Sequence, residues 1–200
     1  MFIVAEGPEG AGKSTLIANL AALYEGQHEV VVTREPGGTP VGEEFRRILK
    51  DPQYQGTFPA MAEFFGFLAA RAAFVEQIVK PALSAGKIVL TDRFSLSTMA
   101  YQIAGRGLPE RPCMEAIRLA EGGIQPRYVV LLARPQVGLA RKKKQGDDGD
   151  RFAQEEVDFH KKVYDGYVKY GKSHGAIVID TDHLSSEEVF QQVRAQLGGA

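Results

Sequence analysis

The stretch Gly7-Pro8-Glu9-Gly10-Ala11-Gly12-Lys13-Ser14 satisfies the pattern G-x-x-x-x-G-K-[ST] without a mismatch. It follows the apolar run Phe2-Ile3-Val4-Ala5 and precedes Thr15-Leu16-Ile17-Ala18-Asn19-Leu20, which reads as a helix, so a strand, a phosphate loop and a helix stand in the required order. A polyphosphate has to be wrapped by backbone N–H groups. Only glycines let the backbone approach that closely, and the N-terminus of the following helix adds partial positive charge. In such a loop Lys13 reaches the β- and γ-phosphates and the Ser14 hydroxyl ligates Mg²⁺.

The rest of the chain agrees with that demand. Short runs rich in β-branched residues recur at Phe2–Ala5, Val30–Thr33, Lys87–Thr91, Tyr128–Ala133 and Ala176–Asp180. Helical patterning fits Lys13–Tyr24, Val41–Leu49, Pro59–Ser84, Ser95–Ala104, Glu110–Glu121, Pro135–Lys144, Phe152–His174 and Ser185–Leu197. Five apolar strands separated by helices predict an α/β fold, a parallel sheet covered on both faces. The 200 residues, without internal repeat or low-complexity linker, predict one domain spanning 1–200.

Composition excludes several classes of partner. With 44% hydrophobic and 24% charged residues and a net charge of −1, nothing in the bulk electrostatics calls for nucleic acid or an anionic membrane. An anionic ligand must then be held by locally placed arginines. The single cysteine, Cys113, rules out an internal disulfide and reads as a partly buried or surface thiol. The N-terminus lacks the pattern of a signal peptide and no stretch approaches a membrane span, so a cytoplasmic protein is expected.

A phosphate loop alone does not separate a GTPase, a motor and a small-molecule kinase. Four further constellations narrow the choice. Thr33-Arg34-Glu35-Pro36-Gly37-Gly38-Thr39-Pro40 closes the second strand, with Arg46 on the next helix. Phe67 and Arg71 lie four residues apart on one helical face, where Phe67 alone would read as core. Thr91-Asp92-Arg93-Phe94 ends the third strand, at the edge where open parallel sheets bind ligands, and continues through Ser95-Leu96-Ser97-Thr98-Met99-Ala100-Tyr101-Gln102 to Gly105-Arg106-Gly107. Finally, the run from Arg141 through Lys142, Lys143, Lys144 and Gln145 to Arg151 interrupts two helical stretches, as a mobile lid over the phosphates would, and a lid over about 141–152 is expected.

With EGPEGAGKST, TREPGGTP, FLAAR, TDRFSLSTMAYQ with GRG, and GLAR…DRF in order, the chain closely resembles the bacterial thymidylate kinases over essentially its full length. That resemblance implies a five-stranded parallel sheet of nucleoside-monophosphate-kinase type, a lid, Mg²⁺, phosphorylation of dTMP by ATP, and a homodimer. ATP would lie along Gly7, Pro8, Glu9, Gly10, Ala11, Gly12, Lys13, Ser14 and Thr15, with Arg141 on adenine. On the dTMP side, the resemblance implies that Phe67 stacks on thymine, Arg71 bonds its exocyclic oxygen, and Thr98 and Gln102 read the remaining polar edge. It also implies that Arg46 and Arg93 hold the monophosphate and that Tyr101 lies under the deoxyribose, with Glu35, Pro36 and Ser97 on the same side. Glu9 would sit near the sugar and the metal, and Asp92 would reach the metal through water. Phosphoryl transfer needs alignment and charge neutralisation and no general base. Lys13, Arg93 and one lid cation among Lys143, Lys144 and Arg151 are the expected catalytic charges, since Gln145 stands where the family has a last lid arginine. A kinase for another nucleoside monophosphate, or a nucleotide switch with weak catalysis, remains open at this point.

Overall fold

The computed structural model describes residues 1–144 and 151–198. Gln145 and the rest of the expected lid up to residue 150 lie outside the described residues. Five parallel strands, β1 (Phe2–Glu6), β2 (Val30–Arg34), β3 (Ile88–Asp92), β4 (Arg127–Leu132) and β5 (Ile177–Asp180), form one sheet in the order β2-β3-β1-β4-β5. Each of the five lies within one residue of the run that predicts it.

Parallel neighbours need crossover connections, and helices supply them: α1 (Lys13–Tyr24), α2 (Pro40–Lys50), α3 (Ala60–Phe74), α4 (Lys80–Ser84), α5 (Ser95–Thr98), α6 (Glu110–Glu121), α7 (Pro135–Lys144) and α8 (Val157–Ser173), while α9 (Ser186–Leu197) follows the last strand. Alternation along β1 divides the interior. Phe2 and Val4 join Phe64, Phe94, Ile117 and Tyr167 on one face, while Ile3 and Ala5 join Leu16, Leu20 and Val193 on the other.

β1 is central, with Ala5 paired to Asp92 of β3 and to Val129 of β4. The chain passes from β1 to the edge at β2, returns through β3, and then crosses β1 to β4 and β5, and this reversal opens a crevice at the carboxyl ends of the strands. The loop after β1 and the Asp92–Arg93 end of β3 therefore emerge side by side.

Three helical boundaries differ from the sequence reading. The single helix expected over Pro59–Ser84 contains a π turn at Val75–Val79 before α4. Pro81, in the first turn of α4, has no N–H and its ring crowds the carbonyl four residues back, so the backbone widens there. The helix expected over Ser95–Ala104 likewise passes from α5 into a π turn at Met99–Gly105, where the Arg106 amide reaches back to Tyr101 O at 2.9 Å. The helix expected from Phe152 starts only at Val157, and Phe152 is instead drawn into the interior.

Candidate active site

The phosphate loop follows β1 with Gly7, Gly10 and Gly12 at positive φ, and Gly12 caps α1. A Cβ on Gly10 would lie 2.1 Å from the Gly138 carbonyl oxygen, and one on Gly138 would lie 2.1 Å from that of Glu9. These two glycines let α7 cross directly on the loop. The Lys13 ammonium is buried and donates to Pro8 O at 2.9 Å. Burial, then the Arg93 charge, bring its pKa down to about 8 against the pull of Asp92, Glu9 and Glu6.

Arg93 sits at the centre. It follows β3 with φ 76°, and its backbone N–H donates to Ala5 O at 2.9 Å. Its Nη1 donates to Gly7 O at 3.1 Å, Ser97 Oγ at 3.2 Å and the Tyr167 hydroxyl at 2.8 Å. Its Nη2 donates to Glu9 Oε1 at 2.6 Å and to the Tyr101 hydroxyl at 3.4 Å. Beneath it the buried Glu6 carboxylate accepts from Phe94 N at 2.8 Å and from the Ser97 hydroxyl, so Ser97 braces Arg93 as well as lining the cavity.

Both Glu9 oxygens face cations, since Oε2 lies 2.8 Å from Lys142 Nζ. Burial alone would raise the Glu9 pKa, but Arg93, Lys13 and Lys142 outweigh it and hold the carboxyl well below the usual range.

One cavity of about 500 Å³ runs from this loop to a pocket lined by Phe67, Arg71, Thr98, Tyr101 and Gln102, with Pro36 and Arg46 on its flank. Arg46 Nη1 donates to Pro36 O at 2.9 Å. Arg71 is buried: Nε lies 2.8 Å from Glu35, Nη2 donates to Phe94 O at 3.0 Å, and Nη1 has no hydrogen-bond partner. Glu35 thus braces Arg71 while also lining the cavity; burial raises its pKa to about 7 although Arg71 opposes the rise. Phe152 packs edge-on against Tyr101 at 5.6 Å and beside Phe67 at 5.9 Å, completing the aromatic wall. At the other end of the cavity Arg141 donates to Thr181 O at 2.6 Å, beside Leu184 and Val189.

The donor set fits a hard divalent cation held mainly by phosphate oxygens and water. Ser14 Oγ donates to Asp92 Oδ2 at 3.2 Å, and the buried Asp92 Oδ1 has no hydrogen-bond partner. Among the described residues no group of three or more His, Cys, Asp or Glu side chains could hold a metal by itself. Ser14 and Asp92 would hold such an ion, while Glu9 faces Arg93 and Lys142.

The three cations expected from the lid are placed elsewhere. Lys143 and Lys144 point outward from α7 and are exposed. Arg151 is buried against Glu63 at 2.7 Å and over the Phe152 ring at 4.2 Å, because a guanidinium taken from water needs a carboxylate. Lys142 is the residue of that run that meets the loop. The sequence signal for it was Gly138, one helical turn earlier, which marks the face of α7 that touches the loop backbone. Tyr167 and Glu63 also escape a reading by motif, since each meets its partners only through tertiary packing.

This geometry is that of a phosphate-loop kinase of the nucleoside-monophosphate type. A family model described as thymidylate kinase matches residues 5–193. Thymidylate kinase of Geotalea uraniireducens is 47% identical, the match covering 84% of this chain and 82% of that protein. Thymidylate kinase of Maridesulfovibrio salexigens is 38% identical over 98% of this chain and 94% of its own length. The crystal structure of thymidylate kinase from Ehrlichia chaffeensis superposes with a TM-score of 0.75 at 28% identity, covering 98% of this chain and 97% of that one. The chain belongs to the thymidylate kinase family.

Proposed function

We propose that the protein transfers the γ-phosphoryl group of ATP to dTMP, giving ADP and dTDP, in the cytoplasm. The observation that carries this reading is the single cavity joining the phosphate loop to the Phe67–Arg71–Tyr101–Gln102 pocket, with Arg93 between them. Thymine stacks on Phe67. The unpartnered Arg71 Nη1 bonds the base's exocyclic oxygen, and the Tyr101 ring leaves little room for a 2′-hydroxyl. Arg46 and Arg93 orient the monophosphate, whose oxygen attacks the γ-phosphorus as the bond to ADP breaks. Ser14 and Asp92 would hold Mg²⁺ together with the nucleotide, and the ion would supply neutralising charge to the phosphates. Coupled ADP release with dTMP, dUMP, dCMP, dAMP and thymidine tests the assignment. Fastest turnover is expected with dTMP, and preference for the nucleoside would overturn it, because Arg46 and Arg93 would then have no phosphate to hold.

The α7 cation for the transferring group is Lys142. Replacing it by Met is expected to lower kcat about a hundredfold with little change in KM for ATP, since a charge felt mainly in the transition state does not tighten ground-state binding. Lys143→Met and Lys144→Met serve as exposed comparisons. A Lys142→Met enzyme with parental kcat would remove Lys142 from the reaction.

A homodimer belongs to the same reading. Met61 and Phe65 of α3 and Leu119 of α6, a helix packed against α3, expose large apolar side chains that a second copy would cover. Light scattering is expected to give twice the 21.8 kDa chain mass.

A further inference from the structure

Glu63, in the first turn of α3, is fully buried although it carries a carboxylate. Four contacts meet it. Oε1 accepts from Gln102 Nε2 at 2.9 Å and from Arg106 Nε at 3.2 Å. Oε2 accepts from Arg106 Nη2 at 3.3 Å and is ion-paired with Arg151 Nη2 at 2.7 Å. Both carboxylate oxygens therefore face donors, two of them guanidiniums, and act as acceptors.

That settles which way the Gln102 amide is turned. Its NH₂ must face Glu63, because a carbonyl oxygen placed there would meet carboxylate oxygens. The atom left for the cavity, which Gln102 lines, is the acceptor Oε1. A pyrimidine carrying hydrogen at N3, thymine or uracil, offers the matching donor. Cytosine offers a lone pair at N3 and an amino group at C4, so it would oppose both Oε1 and the Arg71 guanidinium.

We propose that Glu63 is a positioning residue that sets the polarity of base reading, acting through Gln102 to admit imide pyrimidines and reject cytosine. The inference rests on the dTMP reading of the pocket. It also gives Arg151 a part distinct from a phosphate cation. Arg151 secures Glu63 while its neighbour Phe152 forms the pocket wall.

The test is Glu63→Gln, whose amide can donate as well as accept and so no longer dictates the Gln102 orientation. Steady-state kcat/KM is measured for dTMP, dUMP and dCMP in the parent and the variant. The dTMP/dCMP ratio is expected to fall about tenfold, the scale of one hydrogen-bonding mismatch. The dTMP/dUMP ratio should stay within about twofold, because both bases share the same N3–H edge and general damage to the pocket would not spare that comparison selectively. If Glu63→Gln does not fold, shown by loss of a cooperative melt, the double variant Glu63→Gln/Arg151→Met removes the excess buried cation and is read by the same ratios. An unchanged dTMP/dCMP ratio in the folded variant overturns the proposal, as does an equal fall in both ratios. A parent enzyme that does not turn over dTMP would instead overturn the functional reading on which the proposal rests.

Discussion

Replacement of Lys13 by Met is expected to lower kcat/KM about a thousandfold while the protein melts at a higher temperature than the parent at pH 7. The loss follows from position: the ammonium stands in the loop beside Pro8 O, with Ser14 and Asp92 alongside, where charge on the transferring phosphoryl group must be met. The gain follows from its cost to the fold. Burial and Arg93 bring the Lys13 pKa down to about 8, below its ordinary value of about 10.4. Between those values the unfolded chain carries a proton that the folded chain has given up, so this group's contribution makes stability rise with pH across that window. Below pH 8 both states are protonated, and the folded state bears the full penalty of the buried charge. Lys13→Met removes it, so the gap in melting temperature should be widest at pH 7 and narrow toward pH 10. Near-parental turnover would sink the phosphate-loop assignment, and a lower melting temperature at pH 7 would sink the electrostatic account.

What the sequence made legible follows how local each signal is. The loop glycines and the strand runs are short-range patterns, and all five strands appear where their β-branched runs stand. Helix ends are legible where a cap or glycine acts locally, as at Glu110–Glu121, which Gly122 closes in the left-handed conformation. Pro81 could have warned of the π turn before α4, since its ring acts four residues back. The placement of Phe67, Arg71 and Arg93 along one cavity is readable because each sits in a contiguous motif. Glu63 was not: an acidic residue in a first helical turn ordinarily reads as a solvated partner of the helix dipole. Only the fold brings it against Arg106 and Arg151, 43 and 88 residues further along the chain. Lys142 was hidden among four consecutive cations. Which one faces inward depends on how α7 crosses Glu9 and Gly10, and this the charge pattern does not carry.

Arg93 is the second position with a large expected effect, and its variants separate charge from shape. Its guanidinium spans Gly7 O, Glu9, Ser97 and the Tyr167 hydroxyl and lies 5.2 Å over the Tyr101 ring. It is thus fixed before any substrate arrives, which is what makes an electrostatic contribution large at the moment of transfer. Lysine keeps the charge but is a single point on a flexible stem and cannot bridge these partners at once. Arg93→Lys should therefore lower kcat/KM for dTMP about a hundredfold, and Arg93→Ala and Arg93→Gly at least as much. The backbone supplies an independent check. At φ 76° a Cβ costs about 1–2 kcal/mol that glycine avoids, so Arg93→Gly should be the more stable of the two truncations although both lack the guanidinium. Kinetics of the three variants with denaturant melts of the Gly and Ala forms decide the matter. Arg93→Lys turning over dTMP within a few fold of the parent would mean that charge alone suffices at this position.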